Sequence, residues 1–456
     1  MKCVVSVLLV GGFLSTLSLS MLTPLFPAEL ERRRISSLYS GLVLAFSSLP
    51  YTLTSLAMTG GLLNAFGRAN WFAAGMLLTG FSFITFGYLH FVADPRAFLW
   101  VAFMGFLLQG VGGAAIQTAS YSMLTGLLDR AVSRATTSLA AVSSLGLALG
   151  PLCTSLLFHS DCFLSPFLVV GGCSFALSLG RVCLQRVEPA PAPRVANQRE
   201  AWLRPSEVLQ NKRAVLAFVG LFLMVVCQSF FSVTLFHKLS AQLSLTPAQI
   251  SRFYFAFSLS GALVCCLLPC LPESCERRNL SIPATLLTGL GVLLIGPSKT
   301  FGFPNDPGVI LAGLVVAGAA SNVPVSLATA EVIQATRRSF FRRYQQLANM
   351  VASLTAFWTG LGMLGGPLVG SLFQAVGGFR HSCEAVSVVV VLFAWVQTCI
   401  YAVEIEYNVS LESPRNRPSM PHLGRPVGQQ AFLPSSASAS ASDNENAATP
   451  PRAQRN

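Results

Sequence analysis

Long runs of apolar residues, separated by short polar breaks, recur along the chain as far as residue 404. A transmembrane helix needs about 20 mostly apolar residues, and twelve runs reach or approach that length. Six lie in the first part of the chain, at 3–25, 39–62, 70–91, 97–122, 134–158 and 162–185. Six more follow, at 213–236, 250–272, 281–299, 307–333, 347–375 and 384–404. The pattern predicts an all-α polytopic membrane protein with twelve transmembrane helices.

Two polar segments organise these runs. One contains four prolines and mixed charges and separates the sixth run from the seventh. The other, at the end of the chain, is rich in Ser, Ala and Pro and cannot bury enough apolar surface to fold. We therefore predict an N-terminal six-helix half at 1–185, a cytoplasmic linker at 186–212, a C-terminal six-helix half at 213–404 and a disordered cytoplasmic tail at 405–456.

Composition excludes the soluble classes. Of the 456 residues, 53% are hydrophobic and 11% are charged, whereas soluble domains carry about 25% charged residues. Neither a soluble multidomain enzyme nor a wholly disordered chain fits these values. The net charge of +12 does not indicate nucleic-acid binding, because the basic residues lie between the apolar runs.

The basic residues also predict the orientation. With both termini in the cytoplasm, 22 of the 30 Lys and Arg fall on the cytoplasmic side, as the positive-inside rule requires. The exception is a cluster in the first outside loop, Arg32 to Arg34, which Glu29 and Glu31 partly offset.

An internal repeat predicts two similar halves. With an offset of 216 residues, seven of the fourteen positions 145–158 are identical in the fifth and eleventh spans, and they include Gly146, Gly150 and Pro151. The equivalent residues are Gly362, Gly366 and Pro367. Two six-helix halves of like orientation are typical of duplicated transporter folds.

The loop after the second span resembles that of the major facilitator superfamily, which reads G-x-L-x-D-x-x-G-R. Gly60, Leu62, Gly67 and Arg68 match, and Asn64 replaces the acidic residue. Gly67 permits a tight reversal and Arg68 anchors the loop at the cytoplasmic interface. In the family the acidic residue helps to lock the cytoplasmic gate, so its replacement puts that part of the lock in doubt.

The repeated Gly-x-x-x-Gly-Pro segments resemble the glycine-proline motif of the superfamily's exchangers. Glycines four residues apart let a neighbouring helix approach closely, and a proline loosens the helix. We favour a hinge and a packing face between the halves during alternating access. The alternative is the ordinary helix packing that this spacing serves in many membrane proteins.

A narrower resemblance is to the vesicular amine transporters, with the polyamine branch nearest. It rests on residues 22–29, 294–297, 324–333 and 366–372, and it covers most of 1–404. The fourth span, from Gln109, is also similar to the superfamily pattern R-x-x-Q-G-x-G-A-A, but Phe106 stands at the position of its arginine, which is associated with proton transfer. The resemblance implies transport of an amine or polyamine.

The acidic residues depart from that expectation. No Asp or Glu lies near the middle of a predicted span, and Glu331, Glu384 and Glu404 are at helix ends. A buried cationic amine normally requires a carboxylate. Three alternatives remain open: a cation held by aromatic rings and carbonyl groups, a neutral or anionic solute, or a chain that no longer transports.

Polar residues within the spans are therefore the candidate site. In the family, spans 1, 4, 7 and 10 line the cavity, and there they supply Thr16, Gln109, Gln117, Gln228, Asn322 and Ser326. Each can bind solute, or it can form a helix–helix hydrogen bond of about 1 kcal/mol.

We predict secondary or facilitative transport of a small organic solute by rocking-type alternating access. No enzymatic motif, nucleotide-binding module, cofactor site or metal-ligand cluster is found in the sequence. The expected partners are the solute and the lipid bilayer of a plasma or vesicle membrane, without nucleic acid. The sequence leaves the oligomeric state open, and a monomer is compatible with it. The competing hypothesis is a non-transporting membrane scaffold or sensor that retains the fold.

Overall fold

The computed structural model of the chain is helical throughout the part that it describes. That part comprises residues 2–33, 37–127, 132–157, 164–185, 203–243, 245–271, 278–296, 302 and 306–412, and within it there is no strand. Residues 186–202 of the predicted linker and 413–456 of the predicted tail lie outside the described residues. The domain boundaries therefore stay a prediction.

Among the described residues, eight helices form the first part of the chain, as far as residue 185. They are α1 (Lys2–Arg32), α2 (Ser37–Ala57), α3 (Leu63–Phe66), α4 (Arg68–Leu89), α5 (Pro95–Leu127), α6 (Val132–Leu157), α7 (Ser165–Ser178) and α8 (Arg181–Gln185). A π-helical turn, Met58–Leu62, joins α2 to α3. The left-handed φ of 89° at Gly67 makes the turn into α4 that the loop motif predicts, because a glycine adopts this conformation without strain.

Six helices follow. They are α9 (Pro205–Leu209), α10 (Lys212–Leu243), α11 (Pro247–Leu267), α12 (Arg278–Ile295), α13 (Pro307–Thr336) and α14 (Tyr344–Glu412), with 3₁₀ turns at Leu268–Cys270 and Phe341–Arg343. The last helix covers both of the final two predicted spans. One residue, Gly378 with a φ of 74°, interrupts it, so the break between these spans is shorter than the polar pattern predicts.

The helices are long enough to cross a membrane. Among the described residues, ten segments qualify by length and apolar composition, and Asn279–Ile295 is a shorter apolar helix. The 21 residues of α2 account for the remaining predicted span. Each of the twelve apolar runs thus coincides with a helix.

The duplicated glycines make equivalent contacts in the two halves. A Cβ on Gly146 of α6 would lie 2.5 Å from the Phe13 carbonyl oxygen of α1, and one on Gly362 of α14 would lie 3.0 Å from the Phe222 carbonyl oxygen of α10. Phe13 and Phe222 are 209 residues apart. The same offset relates Ser20 to Ser229, whose hydroxyls donate to the carbonyl oxygens of Gly146 and Gly362, each over 3.1 Å.

The next pair of glycines repeats the pattern. A Cβ on Gly150 or Gly366 would lie 2.7 Å from a backbone nitrogen, that of Met21 or of Phe230. The glycines therefore pack helices within each half, and our expectation of a packing face between the halves is wrong. Close approach of α1 to α6 and of α10 to α14 leaves no room for a side chain at these positions. The hinge role of these glycines and of Pro151 and Pro367 stays a prediction, and both helices continue through their prolines.

Arg33, one of the three arginines in the first predicted outside loop, has contacts that explain its position there. Its side chain is 13% exposed, and its Nε donates to Glu29 Oε1 over 3.1 Å. The guanidinium also donates to the His90 carbonyl oxygen over 3.2 Å and lies 4.2 Å from the centre of the Phe98 ring. A cation is favourable beside the carbonyl groups at the end of a helix, here α4. This placement accounts for a basic residue on the side that the positive-inside rule disfavours.

We expect Gly150→Ala and Gly366→Ala to destabilise the protein by about 1–3 kcal/mol, the usual cost of overpacking a tight contact. A Cβ on Gly150 would overlap with Ser20 Oγ, so α1 and α6 must move apart. Thermal unfolding of the purified protein measures the effect. The control is Gly172→Ala on α7, where a Cβ meets no atom within 4 Å. Equal melting temperatures for all three variants would contradict the packing role.

Replacing Arg33 with Met should lower stability by about 1.5–3 kcal/mol, since hydrogen bonds to a charged group are lost. The matched variant is Arg32→Met, because the Arg32 side chain is 63% exposed and its contact to Glu29 is 3.7 Å long. We expect Arg32→Met to unfold at the wild-type temperature. The same loss of stability in both variants would show that the cause is the removal of a positive charge near the end of α1, and not the loss of the cap on α4.

Candidate functional site

A central cavity of about 160 Å³ lies between the two halves. Helices α1, α2, α5 and α6 line it from one side, and α10, α13 and α14 line it from the other. All six residues predicted for the site, which the chain distributes over four helices, line this one cavity: Thr16, Gln109, Gln117, Gln228, Asn322 and Ser326. Their binding of solute stays a prediction.

The polar lining consists of hydroxyl and amide groups. Besides the four amides, the structure adds hydroxyls that the sequence analysis did not single out: Ser15, Ser48, Ser120, Ser143, Ser144, Thr355 and Thr359. The only aromatic residues among the described lining are Tyr51 and Tyr121, and that lining contains no Asp, Glu, Lys, Arg or His. The cavity therefore offers hydrogen bonds without a formal charge.

In the N-terminal half, the predicted residues also bind neighbouring helices. The Thr16 hydroxyl donates to the Ser143 carbonyl oxygen over 2.8 Å, and Gln109 Nε2 donates to Ser18 Oγ over 2.8 Å. Gln117 Oε1 accepts a hydrogen bond of 2.5 Å from the Tyr51 hydroxyl. These bonds connect α1 to α6 and α5 and connect α2 to α5, so each side chain is oriented before any solute arrives.

In the C-terminal half, Gln228 also binds a neighbouring helix, whereas Asn322 binds the preceding turn of its own helix, α13. Gln228 Nε2 donates to Ser321 Oγ over 3.1 Å, and Asn322 Nδ2 donates to the Gly318 carbonyl oxygen over 2.8 Å. The Ser326 hydroxyl is 3.1 Å from Cys265 Sγ, and Cys265 is fully buried.

One contact at the edge of the cavity joins the halves. Ser144 Oγ of α6 donates to Cys265 Sγ of α11 over 3.4 Å. The resulting Ser144, Cys265 and Ser326 chain is again uncharged.

A second polar contact joins the halves nearer the predicted cytoplasmic side. Asn349 of α14 donates through Nδ2 to Asn64 Oδ1 over 2.5 Å. Its Oδ1 accepts from the Ser122 hydroxyl of α5 and from Gln345 Nε2 at 3.2 Å. We call these four residues the amide bridge. Asn64, which replaces the acidic residue of the family motif, thus still contacts the opposite half.

Neighbouring contacts strengthen this connection. The Tyr344 hydroxyl donates to the Thr125 carbonyl oxygen over 3.2 Å. Gly126 is so close to α14 that a Cβ would lie 2.7 Å from Gln345 Oε1. Of the other predicted gate residues, Arg68 begins α4 and is buried, while Gly60 lies in the π-helical turn. Neither is a member of the amide bridge.

The sequence analysis missed Asn349, Ser122 and Gln345. The only signal in the sequence was an amide residue near the start of a predicted span. The structure shows that this residue, Asn349, is buried, with 6% of it exposed. Because no repeat or loop motif includes it, its partner on the other half could not be identified from sequence.

The carboxylate of Glu331 lies away from the cavity. Its Oε1 accepts from the Tyr401 hydroxyl over 2.8 Å, which connects α13 to α14 inside the C-terminal half. Glu331 is not among the described residues that line the cavity.

Removing the amide bridge should open the predicted cytoplasmic side. Asn349→Ala removes hydrogen bonds worth about 0.5–1.5 kcal/mol each from the conformation in which the halves are in contact on this side. We therefore expect the equilibrium to shift about tenfold toward the conformation in which the halves are apart there. To measure this shift, the native cysteines are replaced by Ser and a new cysteine is introduced at Thr359. A membrane-impermeant maleimide is then added from the cytoplasmic side, and its rate of reaction with this cysteine is measured.

The control for this experiment is Asn70→Ala. Asn70 is half-buried and bonds within its own half, to the Phe66 carbonyl oxygen over 2.6 Å. It should leave the labelling rate unchanged. A rate for Asn349→Ala equal to that of Asn70→Ala would exclude a gating role for the bridge.

Comparison with known proteins identifies the fold. The family model for the Major Facilitator Superfamily matches residues 8–358. The human protein named MFS-type transporter SLC18B1 is 26% identical over 373 residues, which are 80% of this chain and 78% of that protein. The mouse protein of the same name is 26% identical over 363 residues, 79% of this chain and 78% of its own length.

A solved structure shows the same architecture. The crystal structure of the human organic anion transporter MFSD10 (TETRAN) aligns with a TM-score of 0.66 and covers 87% of this chain and 99% of that chain. At 18% identity, the likeness concerns the fold alone. It supports two six-helix halves around a central cavity, in agreement with the internal repeat.

These findings confirm the predicted twelve-helix fold, the multi-pass membrane location and transmembrane transport of a solute. The family match covers most of the chain, and the relatives carry the name of a transporter. The chain belongs to the Major Facilitator Superfamily.

Proposed function

We propose that the protein mediates facilitated diffusion of a small, uncharged organic solute through the central cavity, by alternating access and without proton coupling. The observation that carries this proposal is the cavity lining, which presents hydroxyl and amide groups and no charged side chain among the described residues. Membership of the superfamily supplies the transport function, and the lining supports the nature of the solute.

A cationic solute fits this lining poorly. An unpaired charge removed from water is expensive to bury, and no described lining residue is a carboxylate. Aromatic rings can substitute in part. However, the described lining supplies only the rings of Tyr51 and Tyr121 and none of the 33 phenylalanines. An anionic solute lacks a partner for the same reason, since no Lys, Arg or His is present there.

Coupling to protons has no evident carrier in the cavity. Exchange against protons requires a group that gains and loses a proton as the halves move. The described lining contains no acid and no histidine. Glu331 accepts a hydrogen bond from Tyr401 inside the C-terminal half, and it is not among the described residues that line the cavity.

The two halves are suited to move as units. One apolar core packs around Phe72, Phe83 and Phe106 in the N-terminal half, and another packs around Phe230 and Phe231 in the C-terminal half. The polar contacts between the halves described above, at Ser144 and Cys265 and at the amide bridge, are uncharged, and such bonds can exchange during a cycle. Rocking of one half against the other then exposes the cavity to each side in turn.

Uptake into proteoliposomes tests the function. For a panel of labelled amines, organic acids and neutral solutes, we expect saturable uptake of a neutral solute at the same initial rate with and without a pH gradient. The reason is that neither the solute nor the described cavity carries a proton that the gradient could drive. Liposomes without protein give the background.

Two outcomes would contradict the proposal. Acceleration by an inward or outward pH gradient would show coupling, so a titrating group outside the described lining would have to take part. Absence of saturable uptake across the panel, with correctly folded protein in the membrane, would favour the non-transporting scaffold.

A further inference from the structure

The amide side chains of the cavity are held in one orientation. Gln109, Gln228 and Asn322 each use a nitrogen to donate to a neighbouring helix or turn, at Ser18, at Ser321 and at the Gly318 carbonyl oxygen. The structure therefore commits one N–H of each amide, for Asn322 to the preceding turn of α13 itself, and leaves the second N–H of each amide without a hydrogen bond among the described residues. Their carbonyl oxygens likewise receive no hydrogen bond from the described residues.

The Gln109 oxygen is the clearest case. Gln109 is 4% exposed, and its Oε1 is buried without a hydrogen-bond partner. An unsatisfied buried acceptor costs about 1–3 kcal/mol, and proteins rarely retain one without a reason. Ser120, on the same helix and also lining the cavity, is 1% exposed and its hydroxyl is likewise unpaired. Both residues line the cavity, and a rotation of either side chain would present its oxygen to a solute with donor groups.

The acceptors come from both halves. Gln109 belongs to α5 in the N-terminal half, whereas Gln228 and Asn322 belong to α10 and α13 in the C-terminal half. Gln228 and Asn322 lie close together, because Ser321, the partner of Gln228, directly precedes Asn322. A solute that donates to oxygens on both sides connects the halves when it is bound.

We propose that the solute is a polyhydroxylated neutral molecule of the polyol or sugar class, which donates to Gln109 Oε1, Gln228 Oε1 and Asn322 Oδ1. This inference rests on the proposed function and specifies its substrate. Several hydroxyl groups on one molecule supply the donors that these oxygens need. The same groups accept from the Ser and Thr hydroxyls of the lining, because a hydroxyl donates and accepts.

Competing ligand chemistries satisfy fewer of these groups. A carboxylate or phosphate can accept from the hydroxyls of the lining, but it cannot donate to the three carbonyl oxygens, and no cation in the described lining balances its charge. An ammonium group is a donor, but it brings a charge that the described lining does not balance. A neutral apolar solute would leave the buried oxygens unsatisfied.

Uptake by the full-length protein in proteoliposomes tests the substrate class. The probes are labelled D-mannitol and D-glucose, the dication 1,4-diaminobutane and the dianion glutarate. We expect saturable uptake of at least one hydroxylated probe and background uptake of the two ions. Uptake of 1,4-diaminobutane or glutarate without either hydroxylated probe would overturn the substrate class while leaving transport intact. Background uptake of all four would overturn the substrate class and count against the proposed function.

Two cavity variants test whether the Gln109 and Gln228 side chains contact the solute. Gln109→Met and Gln228→Met keep the length of the side chain and remove the acceptor, so we expect KM for the transported probe to rise about tenfold in each. Gln397→Met is the matched control. Gln397 is 2% exposed, and its Oε1 is also buried and unpaired, but it does not line the cavity. It should leave KM at the wild-type value.

A stability measurement keeps the result interpretable if a variant folds poorly. D-mannitol or D-glucose should raise the melting temperature of the wild-type protein and of Gln397→Met, and should do so less for the two cavity variants. An unchanged KM and an unchanged stabilisation in both cavity variants would overturn the assignment of these oxygens.

Discussion

Close contact between helix backbones is the constraint on which this structure depends. In a bilayer, burying an apolar side chain against another gains little, since the lipid tails are equally apolar. Helices must then associate through tight packing and interhelical hydrogen bonds. Here glycines admit α1 against α6 and α10 against α14, and the hydroxyls of Ser20 and Ser229 bond to the glycine carbonyl oxygens that this approach brings within reach.

The same constraint shapes the cavity. Polar side chains inside the bundle are first of all bonds between helices, and Thr16, Gln109 and Gln228 each have such a bond. In our proposal, the solute binds the atoms that this packing leaves over. An amide is suited to this double use, because its nitrogen can bind a neighbouring helix while its oxygen points to a different partner. The alternatives of helix packing and solute binding are therefore compatible for one residue.

Sequence predicted the large features because they follow from composition and repetition. Twelve apolar runs and the offset of 216 residues define the number of helices and the two halves. The six cavity residues were found because polar groups are costly in a span and thus stand out. Contacts between distant segments could not be predicted. The packing of Gly146 on α1, the partner of Asn64 and the cap that Arg33 places on α4 all depend on three-dimensional proximity that no local pattern encodes.

The absence of charge from both the described lining and the amide bridge has an electrical consequence. Moving one elementary charge across a membrane potential of 100 mV changes the free energy by about 2.3 kcal/mol. A neutral solute that crosses through neutral groups moves no such charge, so the voltage can neither drive nor oppose its passage. A carrier of this kind equalises concentrations on the two sides and accumulates nothing. Any gradient of its solute must then be maintained by metabolism that consumes or traps the molecule after it crosses.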